Sequence, residues 1–171
     1  MAEKDQWAFP RELQPHAEEY AFDLNAALNA VVALRADIPE DAFTAAILGT
    51  ERTGNGVVIR DDGLILTIGY LITEAETVWL TANDGTVAQG YPLAYDFASG
   101  FGLVQPLSPL GVRPLPQGSA ALAEVDDDVI VIGNGGRTHA LKARINDKRE
   151  FAGYWEYLLD QALFTAPAHP E

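Results

Sequence analysis

From Val31 onward the chain is a series of short apolar, β-branched runs cut by turn signals at hairpin spacing, and this pattern constrains the fold more than any other feature. The runs are VVALRADI, AAIL, GVVIR, LILTI, TVWLTA, TVAQGYPLA and FGLVQPL. Asp62-Gly63 and Asn83-Asp84-Gly85 separate them, and such pairs supply the positive backbone angles that tight hairpins need. Many short strands at this interval predict a closed barrel or a sandwich. Ser108 to Gly118 holds Pro109, Pro114 and Pro116 with two glycines and reads as a linker. A second β series follows it: DVIVIGN, HALKARI and QALFTA, with YWEYLLDQAL ambiguous between helix and strand.

Ahead of Val31 the pattern is helical. Tyr20, Leu24 and Leu28 recur every four residues among good helix formers, and Pro15 suits a first turn, so the expected helix runs from about Pro15 to Asn29.

Composition narrows the function classes. The 171 residues carry a net charge of -14, which repels a phosphate backbone and argues against nucleic acid as a partner. A mean hydropathy of -0.01 fits a folded soluble chain, and no apolar run reaches the length of a membrane span. The N-terminus lacks the basic-then-apolar pattern of a secretion signal. The compartment stays open, with the cytoplasm favoured over the periplasm. There is no cysteine, hence no disulfide or thiolate chemistry. Asp126-Asp127-Asp128 reads as a solvated turn before a strand, because neighbouring strand residues point apart and cannot converge on a cation. His16, His139 and His169 are widely scattered and form no metal signature, and no cofactor is expected.

Six segments in order carry a resemblance. Gly54-Asn55-Gly56-Val57-Val58-Ile59 resembles a GSGFII motif, Asp62 to Ile72 resembles DGYILTNNHVV, and Thr81 to Gly85 resembles an LNDG hairpin. Asp96 to Val104 then matches DPRTDLALL, and Pro116 to Asn134 is similar to PLGDSxxLRVGDWVLAIGNP. Leu163 to Glu171 matches FIQTDAAINPGNSGG weakly. These are segments of trypsin-like serine proteases of the HtrA type, and the resemblance spans about Val31 to Glu171.

The resemblance implies an all-β fold of two packed barrels, the second incomplete, plus an N-terminal helical extension. The expected divisions are 1–30 for the extension, 31–107 for the first barrel, 108–118 for the linker and 119–171 for the partial second barrel. It also implies that Tyr70 stands in the slot of the base histidine and Gly100 in that of the orienting aspartate. The expected nucleophile loop lies past Glu171.

Proteolysis by this mechanism needs an imidazole to activate a hydroxyl, an acid to fix its tautomer, and an oxyanion hole. A phenol ionises near pH ~10 and makes a poor base at neutral pH, and glycine orients nothing. No catalytic residue is therefore assigned. Ser99, Ser108, Ser119 and Thr165 lack a nucleophile context and read as turn or strand residues; Gly133 to Gly136 reads as a turn rather than a phosphate loop. His139 is expected at a hairpin tip and His169 on a loop surface.

The leading expectation is a catalytically inactive protease homologue acting as a binding or scaffold module. An open second barrel calls for completion by a protein partner or by the chain's own C-terminal segment, with a homo-oligomer as one form. Tyr154, Trp155 and His169 are possible binding residues. Trp79, Tyr91, Tyr95 and Tyr157 are expected mostly in packing. The alternatives are a working hydrolase with non-standard residues, and a structural subunit docked through the N-terminal helix.

Overall fold

The structure is a computed structural model that describes residues 8–153 and 157–168. Six strands form a closed antiparallel barrel: β1 (Val31–Asp37), β2 (Glu51–Val58), β3 (Ile65–Ile68), β4 (Thr77–Thr81), β5 (Val87–Tyr95) and β6 (Phe101–Pro106). The order around the barrel is β1-β2-β3-β6-β5-β4, closed by pairing of β1 with β4. Alternation explains the geometry. Val32, Leu34 and Ala36 of β1 point inward and are buried, with Val58, Ile65, Val78, Leu80 and Val104 around them, while Arg35 points out. Each fully buried Val, Leu or Ile contributes about 1.5–3 kcal/mol.

The glycines of the Gly-Asn-Gly motif are part of this interior. A Cβ on Gly54 would come within 2.5 Å of the Leu71 side chain, and one on Gly56 within 2.5 Å of the Ile65 Cγ2. Large neighbours fill the volume that side chains at these positions would need.

Two elements differ from the sequence reading. AAIL is a short helix, α2 (Ala45–Leu48), not a strand; its four residues bury only Ala45, and Gly49 at φ 82° ends it. The N-terminal helix is also shorter than expected. It begins at Leu24 as α1 (Leu24–Asn29), where Asp23 caps it by accepting a hydrogen bond from the Ala26 amide at 3.0 Å. Residues before it form two short 3-10 turns, Arg11–Leu13 and Ala17–Glu19.

The second sheet has three antiparallel strands, β7 (Asp128–Ile132), β8 (Ala140–Gly153) and β9 (Tyr157–Ala166), in that order. It is open: among the described residues β7 and β9 each pair on one side only. Its two faces differ. Val129, Val131, Leu141, Ala143 and Ile145 share one apolar face, while Asp128, Lys142 and Arg144 lie on the other with Ile130, Ile132 and Ala140.

The N-terminal segment wraps around the sheet. Phe9 and Leu13 pack on Leu141, Ala143, Val129 and Val131, and Tyr20, Leu24 and Leu28 pack on Ala140, Ile130 and Ile132. Side chains of two Asn residues tie the sheet to the barrel. Asn55 Oδ1 accepts from the Asn134 amide at 2.9 Å and from Asn134 Nδ2 at 2.7 Å, and Asn83 Oδ1 accepts from the Gly135 amide at 2.8 Å.

Candidate functional site

Tyr70 lies on the 3-10 turn Gly69–Leu71 that ends β3. Its ring is half-buried against the barrel core, and among the described residues its hydroxyl makes no hydrogen bond. The turn is held from beneath by Arg52, which points into the end of the barrel and is only 4% exposed. Arg52 Nη1 donates to the Tyr70 carbonyl at 2.5 Å and to the Thr73 carbonyl at 3.1 Å; Nη2 donates to Thr44 Oγ1 at 2.7 Å. Thr44 Oγ1 in turn donates to Glu74 at 2.5 Å, and the same carboxylate accepts the amides of Phe43 and Thr44. These bonds, those from Thr44 first, hold the Glu74 carboxyl below its ordinary value. Desolvation lowers the Arg52 guanidinium, opposed by the Glu74 charge.

Gly100 sits directly beside this turn. Its carbonyl accepts the Gly69 amide at 2.6 Å, so the segment bearing Tyr70 and the segment bearing Gly100 touch through their backbones. Gly100 has φ +75°, and it closes a turn begun at Asp96. Asp96 accepts from Ser99 Oγ at 2.5 Å and from the amides of Ala98 and Ser99 at 3.2 and 3.3 Å. The Ser99 hydroxyl, followed by these amides, lowers the Asp96 carboxyl.

The second sheet reaches over the same spot. A Cβ on Gly100 would lie 2.5 Å from the Tyr157 Cβ and 2.6 Å from its Cγ, and the Leu158 amide donates to the Ala98 carbonyl at 3.4 Å. Tyr95 stacks with Phe97 at a centroid distance of 4.4 Å, and Phe151 faces Tyr157 at 6.3 Å. Phe97 is 76% exposed, and Phe101, Phe151 and Leu158 are exposed as well.

The remaining sequence candidates fall elsewhere. His139 ends the 3-10 turn Gly136–His139 between β7 and β8, with Nδ1 near the Gly135 carbonyl and Thr138 Oγ1. His16 Nδ1 lies 3.2 Å from Arg137. Asp127 accepts the Glu124 amide and Asp128 pairs with Arg144, so the acid triplet is a turn running into a strand. Among the described residues no group of three or more His, Asp or Glu is placed to hold a metal, and no helix is long and apolar enough to cross a membrane. Tyr154, Trp155 and His169 lie outside the described residues. Arg52, Thr44 and Glu74 were not picked out by sequence reasoning. The one signal was an arginine among the apolar-facing positions of a strand.

Residues 54–171, well over half of the chain, match the trypsin-like peptidase domain family. This chain belongs to that family. Solved structures with the same fold include the active form of the Rv3671c protease from M. tuberculosis, with 24% identity and a TM-score of 0.58 over 75% of this chain and 52% of that one. The HtrA-type protease AlgW, in a substituted form with a tripeptide, gives 15% identity and a TM-score of 0.65 over 81% of this chain and 44% of its own. The inactive form of the Rv3671c protease gives 20% and 0.59, covering 82% of this chain and 67% of that one. No curated protein matches the sequence. The chain thus spans about half the length of the first two of these structures, and what it shares with them is the fold.

Proposed function

We propose that this trypsin-like domain is catalytically silent and serves as a protein-binding or scaffold module whose second sheet is completed by further strands. The observation that carries the reading is the contact between the Tyr70 turn and Gly100. The Gly69 amide is bonded to the Gly100 carbonyl, and the Tyr157 Cβ fills the space into which a side chain at position 100 would project. If Tyr70 and Gly100 hold the base and acid slots, the relay has a phenol, which is a poor base, and no carboxylate to orient it. Asp96 does not stand in, because its oxygens are committed to Ser99 and Ala98 within its own turn.

The binding role rests on surface. Among the described residues, and apart from the Leu158 amide that meets Ala98, the outer edges of β7 and β9 have no partner strand and offer backbone donors and acceptors to an incoming one, supplied by the chain's own continuation or by a protein partner, a second copy included. The exposed aromatics Phe97, Phe101 and Phe151 near Tyr157 add apolar contact area beside that sheet.

The test is labelling with a fluorophosphonate, applied to the protein as it occurs with any sequence that flanks these residues. No covalent adduct is expected. A stoichiometric adduct on a serine, lost on denaturation before labelling, would refute silence and establish a working hydrolase.

A further inference from the structure

The apolar face of the second sheet is already occupied. Phe9 and Leu13 cover Leu141, Ala143, Val129 and Val131, and Leu141 and Ile145 are wholly buried. The segment is tied to the β7–β8 connection at Phe9 and braced within itself by Gln14. The Phe9 amide donates to the Thr138 carbonyl at 2.9 Å, and the Gln14 side chain, 4% exposed, donates to the Phe9 carbonyl at 2.7 Å. Pro15 beside it is fully buried.

The β7 and β8 side chains that this segment covers are apolar, whereas the opposite face carries Asp128, Lys142 and Arg144 beside Ile130, Ile132 and Ala140. A sheet that curls into a barrel turns its apolar face inward. The first barrel shows how little room such an interior leaves. Six strands enclose Val32, Leu34, Ile65, Leu80 and Val104, and even Gly54, Gly56 and Gly90 are held to glycine by their neighbours. Side chains of the barrel's own strands fill most of it, and the rest is taken by Leu71 and Ile72 at the 3-10 turn, Ala45 of α2 and Leu110 of the linker.

We propose that residues Phe9–Pro15 are an intramolecular plug on the inner face of the second sheet, mutually exclusive with closure of that sheet by added strands. The proposal rests on the strand-completion part of the reading above and gives it a gate. Strands can add fully only after the plug leaves, so the apparent affinity for a strand donor is lowered by the fraction of chains in which the plug is seated. The plug also shields an apolar face that would otherwise be exposed while the sheet is open.

The experiment compares the whole chain with Phe9→Asp, which places a charge on the apolar face, and with Gln14→Ala, which removes the internal brace that shapes the segment without touching the sheet. The probe is a synthetic decapeptide of alternating valine and threonine, suited to strand addition. Phe9→Asp is expected to speed amide exchange at Val131 and Leu141 at least tenfold, leaving Leu34 and Leu80 of the closed barrel protected. It is also expected to bind the peptide at least tenfold more tightly than the unaltered chain, with Gln14→Ala between the two. If Phe9→Asp also loses protection at Leu34 and Leu80, Gln14→Ala alone decides by the same two measures. Equal peptide affinity in variant and unaltered chain, including no measurable binding by either, overturns the gate, as does unchanged exchange at Val131 and Leu141. Fluorophosphonate labelling, the test of silence, reads none of these quantities, so the two ideas fail separately.

Discussion

Tyr157 and Gly100 are packed so closely that the tyrosine Cβ lies 2.5 Å from where a Cβ on the glycine would stand. The backbone at Gly100 adds its own demand, because φ +75° is a conformation that side chains other than glycine adopt at a cost. Both effects oppose an aspartate here. Gly100→Asp is expected to lower stability by about 2–5 kcal/mol, from the left-handed backbone and the overpacking together. Adding Tyr157→Gly, which removes the Cβ together with the ring, should recover the packing part and leave the backbone part. Urea denaturation of both single variants and the double one measures this, and strict additivity of the two changes would show that the residues do not compete for the space.

The interior glycines of the first barrel make a graded prediction. At Gly56 the obstacle is the Ile65 Cγ2, a methyl on a stiff β-branched side chain, whereas at Gly54 it is the far end of Leu71, which has freedom to rotate. Gly118 has nothing within 4 Å of a Cβ. Gly56→Ala is therefore expected to cost about 2–3 kcal/mol, Gly54→Ala less, and Gly118→Ala to fall within about 0.5 kcal/mol of no effect. Thermal or urea unfolding of the three variants orders them, and a neutral Gly56→Ala would contradict the filled interior.

These cases bear on what can be read from the chain before its structure. Alternation in VVALRAD and the Asp62-Gly63 and Asn83-Asp84-Gly85 turns are local, and each reappears as strand or hairpin. The placement of the Tyr70 turn near Gly100 follows from β3 pairing with β6, a pairing across distance that no local pattern shows. Three other features depend on packing across distance. AAIL has a pattern too short to separate helix from strand, and its site after the Pro39 turn, not its propensity, makes it α2. Tyr20, Leu24 and Leu28 look like one amphipathic helix, and all three do pack on one face of the second sheet, but the chain reaches that face through the 3-10 turn Ala17–Glu19 and turns helical only after the Asp23 cap. The Arg52–Thr44–Glu74 network joins residues eight and thirty positions apart, beyond any local pattern.

That network gives the next prediction. Arg52 satisfies the carbonyls of Tyr70 and Thr73 inside the barrel mouth, and its removal leaves them without a donor. Arg52→Ala is expected to cost several kcal/mol, since each buried acceptor left without its donor costs about 1–3 kcal/mol. Arg52→Lys should recover little, since an ammonium cannot reproduce the planar fork that reaches two carbonyls and a hydroxyl at once. Thr44→Val should cost about 1–3 kcal/mol, because it strips one acceptor from Arg52 and one donor from Glu74. Full rescue by lysine would mean that charge alone, rather than the fork, holds the Tyr70 turn.

The same region sets how the fold responds to acid. Glu74 and Asp96 are both held below their ordinary values, 4.5 and 3.8, chiefly by hydrogen bonds from Thr44 and from Ser99 respectively. A depressed carboxyl binds its proton more weakly folded than unfolded, so the unfolded chain takes up more protons as pH falls. The stabilisation from each group is whole above the ordinary carboxylate range and is lost as pH drops through that range and below the folded value. Glu19, Asp23, Asp62 and Asp84 are lowered as well, and they act in the same direction. Stability is therefore expected to hold level from pH 7 to about pH 5 and to fall steeply below it. Glu74→Gln and Asp96→Asn should each start from a lower stability at neutral pH and show a shallower acid slope, additive in the pair because the two turns share no partner. Urea midpoints measured at intervals between pH 7 and pH 3 test this, and an unchanged slope in the double variant would place the acid sensitivity in other carboxylates.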